Sequence, residues 1–504
     1  MTRKHKHIGG IIGADPLPSG SPRPGVSNLG ELGVDVVSYE IDRSLRFDGS
    51  GDYLSRSQGA PTEPEKWTWA GWVKLSTSST AQQNLLGAGS SGNQGHLQLI
   101  NNRFGVRKFT SVEDFAAYTS STYTDTAVWT HFVLAYDSTL GSDYTDDRVK
   151  IWVNGQLENT LVNYSGGSAS YPDQNETVSL NAQSVSQYIS RRAHSAAYYF
   201  NGQLAEVHFI DGQALTAADF GETRDGQWVP KEVTGVTYGN NGFHLDFADS
   251  STASALGTDA TTNSNDFTVP ANTLTPDDQL IDSPNLRFAS LDPTSKGTYA
   301  ILSEGNLKIT NNNSSWGSAK TDFAIPAGDK VYFEVMMNGL YGMYGVTKSN
   351  SAQNSYLGAQ SDGWALYPLT AKNELFHDTD NSTQWGTSSA GGPSNRVFMC
   401  AVDRSAGKIY FGAEGNWFTG DETEVSSFAN AIAGFTDTDL SSGSLFPAIS
   451  VNNSSSVAGT LNFGQDHTFA GSKSPLTSPH TDDDGNGEFR YQPPTGFKAL
   501  ATSY

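Results

Sequence analysis

The chain has one cysteine, Cys400, in 504 residues, so no intrachain disulfide can form. Without that staple, stability has to come from buried apolar surface. No apolar run approaches the roughly 20 residues that a membrane helix needs, so membrane insertion is not expected. The basic start Met1-Thr2-Arg3-Lys4-His5-Lys6-His7 leads into Ile8 to Ala14, which is too short and glycine-broken for a signal-peptide core. Positive charge is scarce: 31 Lys and Arg face 53 Asp and Glu, a formal net charge of −22. Such a surface repels phosphate backbones and makes nucleic acid a poor partner. Long amphipathic helical periods are hard to find anywhere.

What is present points to strands. Hydrophobic residues make up 36% and aromatics 11%, enough for real cores and too much for outright disorder. The 52 glycines, with recurring Ser, Thr and Asn, favour turns and penalise helix interiors. The length suggests two or three domains. Together these read as an all-β chain of two antiparallel β-sandwich (jelly-roll-like) domains, with an extended N-terminal leader and an irregular linker.

Residues 1–38 are rich in Gly, Pro and Ser (Asp15-Pro16-Leu17-Pro18-Ser19-Gly20) and read as an anchor. Over 39–229, alternation dominates. Trp67, Trp69, Gly71, Val73 and Leu75 share one face, as do Phe132, Leu134 and Tyr136, and then Val149, Ile151 and Val153 before the turn Asn154-Gly155. Residues 230–285 are poor in bulky apolar groups and read as a linker, with a strand possible at Phe243, Leu245 and Phe247. Over 286–470 a second sandwich is expected, with Val331, Phe333, Val335 and Met337 on one face and a hairpin joining Val397–Val402 to Lys408–Phe411. Residues 471–504 read as a tail lying over a neighbour.

Three stretches carry resemblances. Ser44 to Leu54, Trp67 to Val73, Trp129 to Val133, Lys150 to Gly155 and Phe200 to Val207 resemble, in order and spacing, the concanavalin-like laminin-G family in its phage and bacterial branch. Val331–Val335, Tyr344–Val346, Tyr356–Gly358, Gly363–Leu366, Val397–Asp403, Gly407–Phe411, Leu445–Ile449 and Leu461–Gly464 resemble a SPRY domain. Tyr491 to Leu500 resembles an ending common in virion proteins of aquatic phages. These resemblances imply binding or structural scaffolds and leave the partner open.

Candidate chemistry is sparse. Gly87-Ala88-Gly89-Ser90-Ser91-Gly92 has dinucleotide-loop spacing, but no helix follows to hold a pyrophosphate, so a plain loop is expected. The ten histidines form no His-Glu-x-x-His or Cys/His cluster, and His131 and His208 read as structural. His5 and His7 could chelate a metal, though a docked basic leader fits them as well. Asp482-Asp483-Asp484-Gly485-Asn486-Gly487-Glu488 starts like a calcium loop but has Pro493 where the bidentate Glu belongs. No other cofactor is expected. The laminin-G resemblance implies calcium on a rim loop, with Asp48 and Asp52 as the matching positions, although a tight turn explains Asp48-Gly49 equally well. Sugar hydrolysis needs two opposed carboxylates, and Glu206 in Glu206-Val207-His208 reads as a lone strand carboxylate. Sugar rings stack on aromatics while amides grip hydroxyls. Asn311, Asn312, Asn313 and Trp316, then Asn416 and Trp417, are therefore candidate glycan contacts, set against the favoured reading that Trp316 packs on the linker and Trp417 closes the core.

The resulting expectation is a non-enzymatic bacteriophage virion protein, assembled in the host cytoplasm. A tail fibre or appendage adhering to host surface glycans or proteins is the first form. Residues 1–38 would bind other virion proteins, and the chain would form a homo-oligomer, a trimer by preference. The alternatives are a capsid decoration protein or head fibre and, from another class, a polysaccharide depolymerase.

Overall fold

The computed structural model describes residues 39–503 except 340, 349–353, 370–372, 379, 385–392, 421–422 and 453–456. The leader 1–38, with His5 and His7, lies outside the described residues. Among these, strands dominate and helix is confined to short 3-10 turns. That is the all-β architecture the composition implies.

Alternation builds the first sandwich. Strand Lys66–Leu75 sends Trp67, Trp69, Val73 and Leu75 into the core. Gly71 keeps that face open, because a Cβ there would lie 2.9 Å from the Trp69 indole. An eight-stranded sheet runs through Trp129–Asp137, Lys66–Leu75, Asn201–Asp211 and Ser44–Asp48. Facing it is a seven-stranded sheet centred on Arg103–Phe109, Asn93–Ile100 and Gln83–Ser90. Phe104 of one sheet stacks on Phe132 of the other at 4.4 Å, so aromatic rings bridge the two layers. Asn154 and Gly155 both take positive φ, +46° and +79°, as a tight hairpin turn between strands requires.

The second sandwich pairs a seven-stranded with a nine-stranded sheet. Val331, Phe333, Val335 and Met337 of Lys330–Asn338 share its core with Phe398, Cys400 and Val402 of the adjacent Arg396–Asp403, against Tyr344, Val346, Trp364 and Leu366. The expected hairpin forms between Arg396–Asp403 and Lys408–Ala413, with Asp403 opposite Lys408.

Two segments differ from their sequence reading. The supposed linker is part of the first domain: Phe243–Leu245 pairs with Asn201–Asp211, and Gln279–Leu280 pairs with Ser44–Asp48. Its bulky residues are few, yet Phe243, Leu245, Phe247, Leu256, Phe267 and Leu274 all enter the core. Polar residues hold the turns between them, as where Asp259 accepts from the backbone N–H groups of His244, Thr261 and Asn265. The C-terminal tail likewise packs on its own chain. Ala501–Ser503 pairs with Leu286–Phe288, and Phe489 and Phe497 cluster with Phe288, Tyr332 and Trp417. Buried Glu334 anchors it, accepting from the Tyr332 hydroxyl, the Asn462 amide and the backbone N–H groups of Arg490 and Tyr491.

Buried charge joins the two sandwiches. Arg46, 1% exposed, lies 2.9 Å from Asp278, 3.3 Å from Asp466 and 3.7 Å from Glu304. Burial opposes its charge, but the three carboxylates outweigh that and lock the guanidinium in its protonated form. Nearby, Lys74 pairs with Asp282 at 2.5 Å, and Trp129 donates to the same carboxylate. Replacing Arg46 with Met should leave Asp278 and Asp466 without their shared counter-ion and cost about 3–5 kcal/mol. Calorimetry should then show two unfolding transitions in place of one; a single unshifted transition would contradict the coupling.

Candidate functional site

The outer face of the seven-stranded sheet gathers polar side chains. Strand Asn93–Ile100 turns Leu97 and Leu99 inward, which sends Gln94, His96 and Gln98 outward. Across from them stand Asn84, Arg107 and Tyr118. Gly105 sits between Gln98 and Tyr118 in the register, and a Cβ there would lie 2.6 Å from the Tyr118 ring. Its absence lets Gln98 donate to the Tyr118 hydroxyl at 2.6 Å.

These side chains form a ladder. Gln82 donates to Gln98 at 2.6 Å, and His96 contacts Asn84 and Gln94, both at 3.0 Å. Arg107 donates to Gln82 and Arg192 to Gln94, each at 3.0 Å, so two guanidinium groups are pinned at the outer edge. Segment 190–199 crosses the face where Gly87 makes room, since a Cβ there would meet the Arg191 carbonyl at 2.5 Å. Around the arginines are Tyr164, under Arg107, and Tyr198, under Arg192 and 44% exposed. Arg191 lies 4.5 Å from the ring centres of both Tyr53 and Tyr188.

Positive charge is crowded here. Burial first, then Arg107, Arg192 and His194, hold His96 well below the usual histidine range. Burial and Arg107 also lower Arg192. Glu113, 3.9 Å from Arg107, is the carboxylate paired with the group. In a chain of net charge −22, this is a local cationic, tyrosine-lined surface held by a preformed amide network. Guanidinium donors suit carboxylate or sulfate oxygens, and tyrosine faces suit the C–H faces of sugars.

The residues proposed from sequence lie elsewhere. Asn311 is buried and donates to the carbonyls of Ser315 and Val451, so it holds its own turn. Asn313 accepts from Ser315 N–H within that turn, and of the three asparagines Asn312 alone is exposed. Trp316 packs edge-on against Tyr356 and Tyr367, not on the linker. Trp417, 3% exposed, closes a core against Tyr332 and Phe428 beside half-buried Asn416, which removes it as a glycan contact. Asp48 is taken up by its turn, accepting from the N–H groups of Ser50, Gly51 and Asp52. Asp52 accepts from Asp48 N–H. The Gly87–Gly92 motif, expected as a plain loop, is the end of strand Gln83–Ser90 and the tight turn into Asn93–Ile100, with no helix after it.

Glu206 does not stand alone. His244 lies opposite His208 in the pairing of Phe243–Leu245 with Asn201–Asp211, which the linker reading had hidden. Glu206 Oε2 lies 2.9 Å from His244 Nε2 and 3.4 Å from His208 Nε2, and it accepts from the Tyr39 hydroxyl at 2.8 Å. Burial opposes the charge on Glu206, but His244 and hydrogen bonds from both imidazoles hold its carboxyl far below the usual range. Burial and then His244 push His208 down to about 4. His131 sits close by as expected, a buried structural ring accepting from Trp228 Nε1.

Sequence comparison matches residues 48–220 to one family. It is the concanavalin A-like lectin/glucanases superfamily. The match covers the strands that carry the amide ladder, so the site lies on a concanavalin-like sandwich. No curated protein matches the chain. Similar solved structures include the SPRY domain of human HERC1 (15% identity, TM-score 0.27, 34% of this chain and 96% of that one). The PSpry domain of TRIM65 follows (14%, TM-score 0.26, 35% and 92%). A heptameric SAP-like pentraxin from Limulus polyphemus is also similar (13%, TM-score 0.24, 36% and 80%).

Asp52 supplies a pH signature for the rim of this sandwich. Burial first, then Asp48 and Asp278, push its carboxyl up to about 7. The native state then holds a proton that the unfolded chain releases near pH 4, so this group's contribution falls as pH rises from about 4 to 7. Asp52→Asn keeps an acceptor for the Asp48 N–H and removes the repulsion. Thermal melts should show it more stable than wild type at pH 8 and equal to it near pH 4.

Proposed function

We propose that this chain is an adhesion protein exposed on a bacteriophage particle, gripping acidic host-surface glycans through its concanavalin-like sandwich. The observation that carries the reading is the pair Arg107 and Arg192, pinned by Gln82 and Gln94 amid Tyr164 and Tyr198. Long cationic side chains held in place lose little further freedom on binding, so each contact stays modest but directional. Copies arrayed on a particle multiply such contacts, and avidity exceeds the single-site affinity by orders of magnitude. The fold itself typically binds without catalysis. Glu206 supports the non-enzymatic reading, since its carboxylate is tied to Tyr39, His208 and His244. In this reading residues 1–38 attach the chain to other virion proteins as part of a tail fibre or appendage, in symmetric and preferably trimeric form.

Binding of the full-length protein to immobilised dextran sulfate and to neutral dextran tests this. Dextran sulfate should be retained and neutral dextran should not. Arg107→Ala and Arg192→Ala should each weaken retention about tenfold, with a salt dependence shallower than wild type. Release of reducing ends from host polysaccharide would instead favour a depolymerase.

A further inference from the structure

Strand Asn201–Asp211 bulges where it pairs with Lys66–Leu75, the register shifting between Ala205 and His208. At the bulge Glu206 adopts φ +47°, a left-handed conformation uncommon for a residue other than glycine, Asn or Asp. Leu204, Val207 and Phe209 continue into the inner core, while Ala205, His208 and Ile210 belong to the outer face. The extra residue brings the Glu206 carboxylate onto that outer face beside His208. His244 enters from the neighbouring strand, its ring 4.1 Å from that of His208 and 16° from parallel.

We infer that Glu206, His208 and His244 form a binding site for a divalent transition-metal ion, with zinc the first candidate. Two imidazoles and one carboxylate are a borderline-soft donor set that suits zinc and its first-row neighbours. The three donor atoms lie within 4.8 Å of one another. A tetrahedral ion about 2.0–2.1 Å from each donor holds donors about 3.3 Å apart. The Glu206 oxygen sits 2.9 and 3.4 Å from the two imidazole nitrogens, on either side of that value. The rings stack within 16° of parallel, so binding an ion requires them to swing until their in-plane lone pairs meet.

The surroundings support the same assignment. Tyr238 holds His208 Nδ1 at 2.8 Å, which leaves Nε2 facing the carboxylate, and Tyr39 bonds Glu206 at 2.8 Å. Such partners orient ligands in metal sites. A shallow crevice lined by Tyr39, Ile41, Phe220 and Lys231 borders Glu206 and His208. The ion would clamp segment 243–245 to the central strand of the sandwich, a structural role separate from glycan contact.

The test uses full-length protein carrying His5→Ala and His7→Ala, stripped with chelator and titrated with Zn(II) and Co(II). One equivalent should bind, with Co(II) giving visible absorption of a low-symmetry, nitrogen-ligated site. Glu206→Gln or His244→Ala should weaken binding at least about 100-fold. Because His244→Ala removes a ring from a packed stack, Tyr238→Phe serves as the second variant and should weaken binding about tenfold. Absence of stoichiometric binding, or unchanged affinity in both Glu206→Gln and Tyr238→Phe, overturns the site.

Discussion

A polar group removed from water must find a partner, and this rule governs both outer faces of the first sandwich. Alternation settles the inner faces, where Trp67, Trp69, Phe132 and Leu97 meet. The outer faces are then covered by their own chain. Segment 190–199 crosses one, and Phe220, Trp228 and Tyr238 lie over the other. Large polar residues beneath those covers have to pair with each other. On one face they become the ladder of Gln82, Asn84, Gln94, His96 and Gln98, and on the other the cluster of Glu206, His208 and His244. An unpaired member of either would cost about 1–3 kcal/mol, so each network is fixed in one arrangement. Rigidity beneath is what holds Arg107 and Arg192 in place above.

The same rule operates between the sandwiches. Almost fully enclosed Arg46 meets Asp466 of the second sandwich, and beside it Lys74 and Asp282, equally enclosed, pair within the first. Glu334 performs the equivalent task within the second sandwich, collecting four donors and binding the C-terminal segment to it. Such contacts add specificity to a fold whose bulk stability comes from apolar burial.

Much of the fold was legible in the sequence because strand periodicity is local. Trp67, Trp69, Val73 and Leu75 declare their face without knowledge of any partner strand. The role of 230–285 was hidden for the converse reason. Phe243, Phe267 and Leu274 are spread thinly along the chain and acquire meaning only against an edge built from residues about 35 to 200 positions earlier. Site chemistry was less legible still. His208 and His244 meet through cross-strand register, and Glu206 reaches them through a bulge that no glycine announces. The alternation Gln94, His96, Gln98 was a usable signal, since long polar residues on one strand face often support something above them. Loop amides beside tryptophan mark no site here, because Asn311 holds its own turn and Trp417 closes the core, as the packing reading has it.

The account's central claim is that the arginines held above the outer face of the seven-stranded sheet meet the ligand. A structure of the full-length protein with a sulfated oligosaccharide tests it most directly. The account predicts the sugar against Arg107, Arg192 and Tyr198, with the amide ladder beneath unchanged. Sugar bound instead on the loops of the second sandwich, or in a groove between two carboxylates, would contradict it.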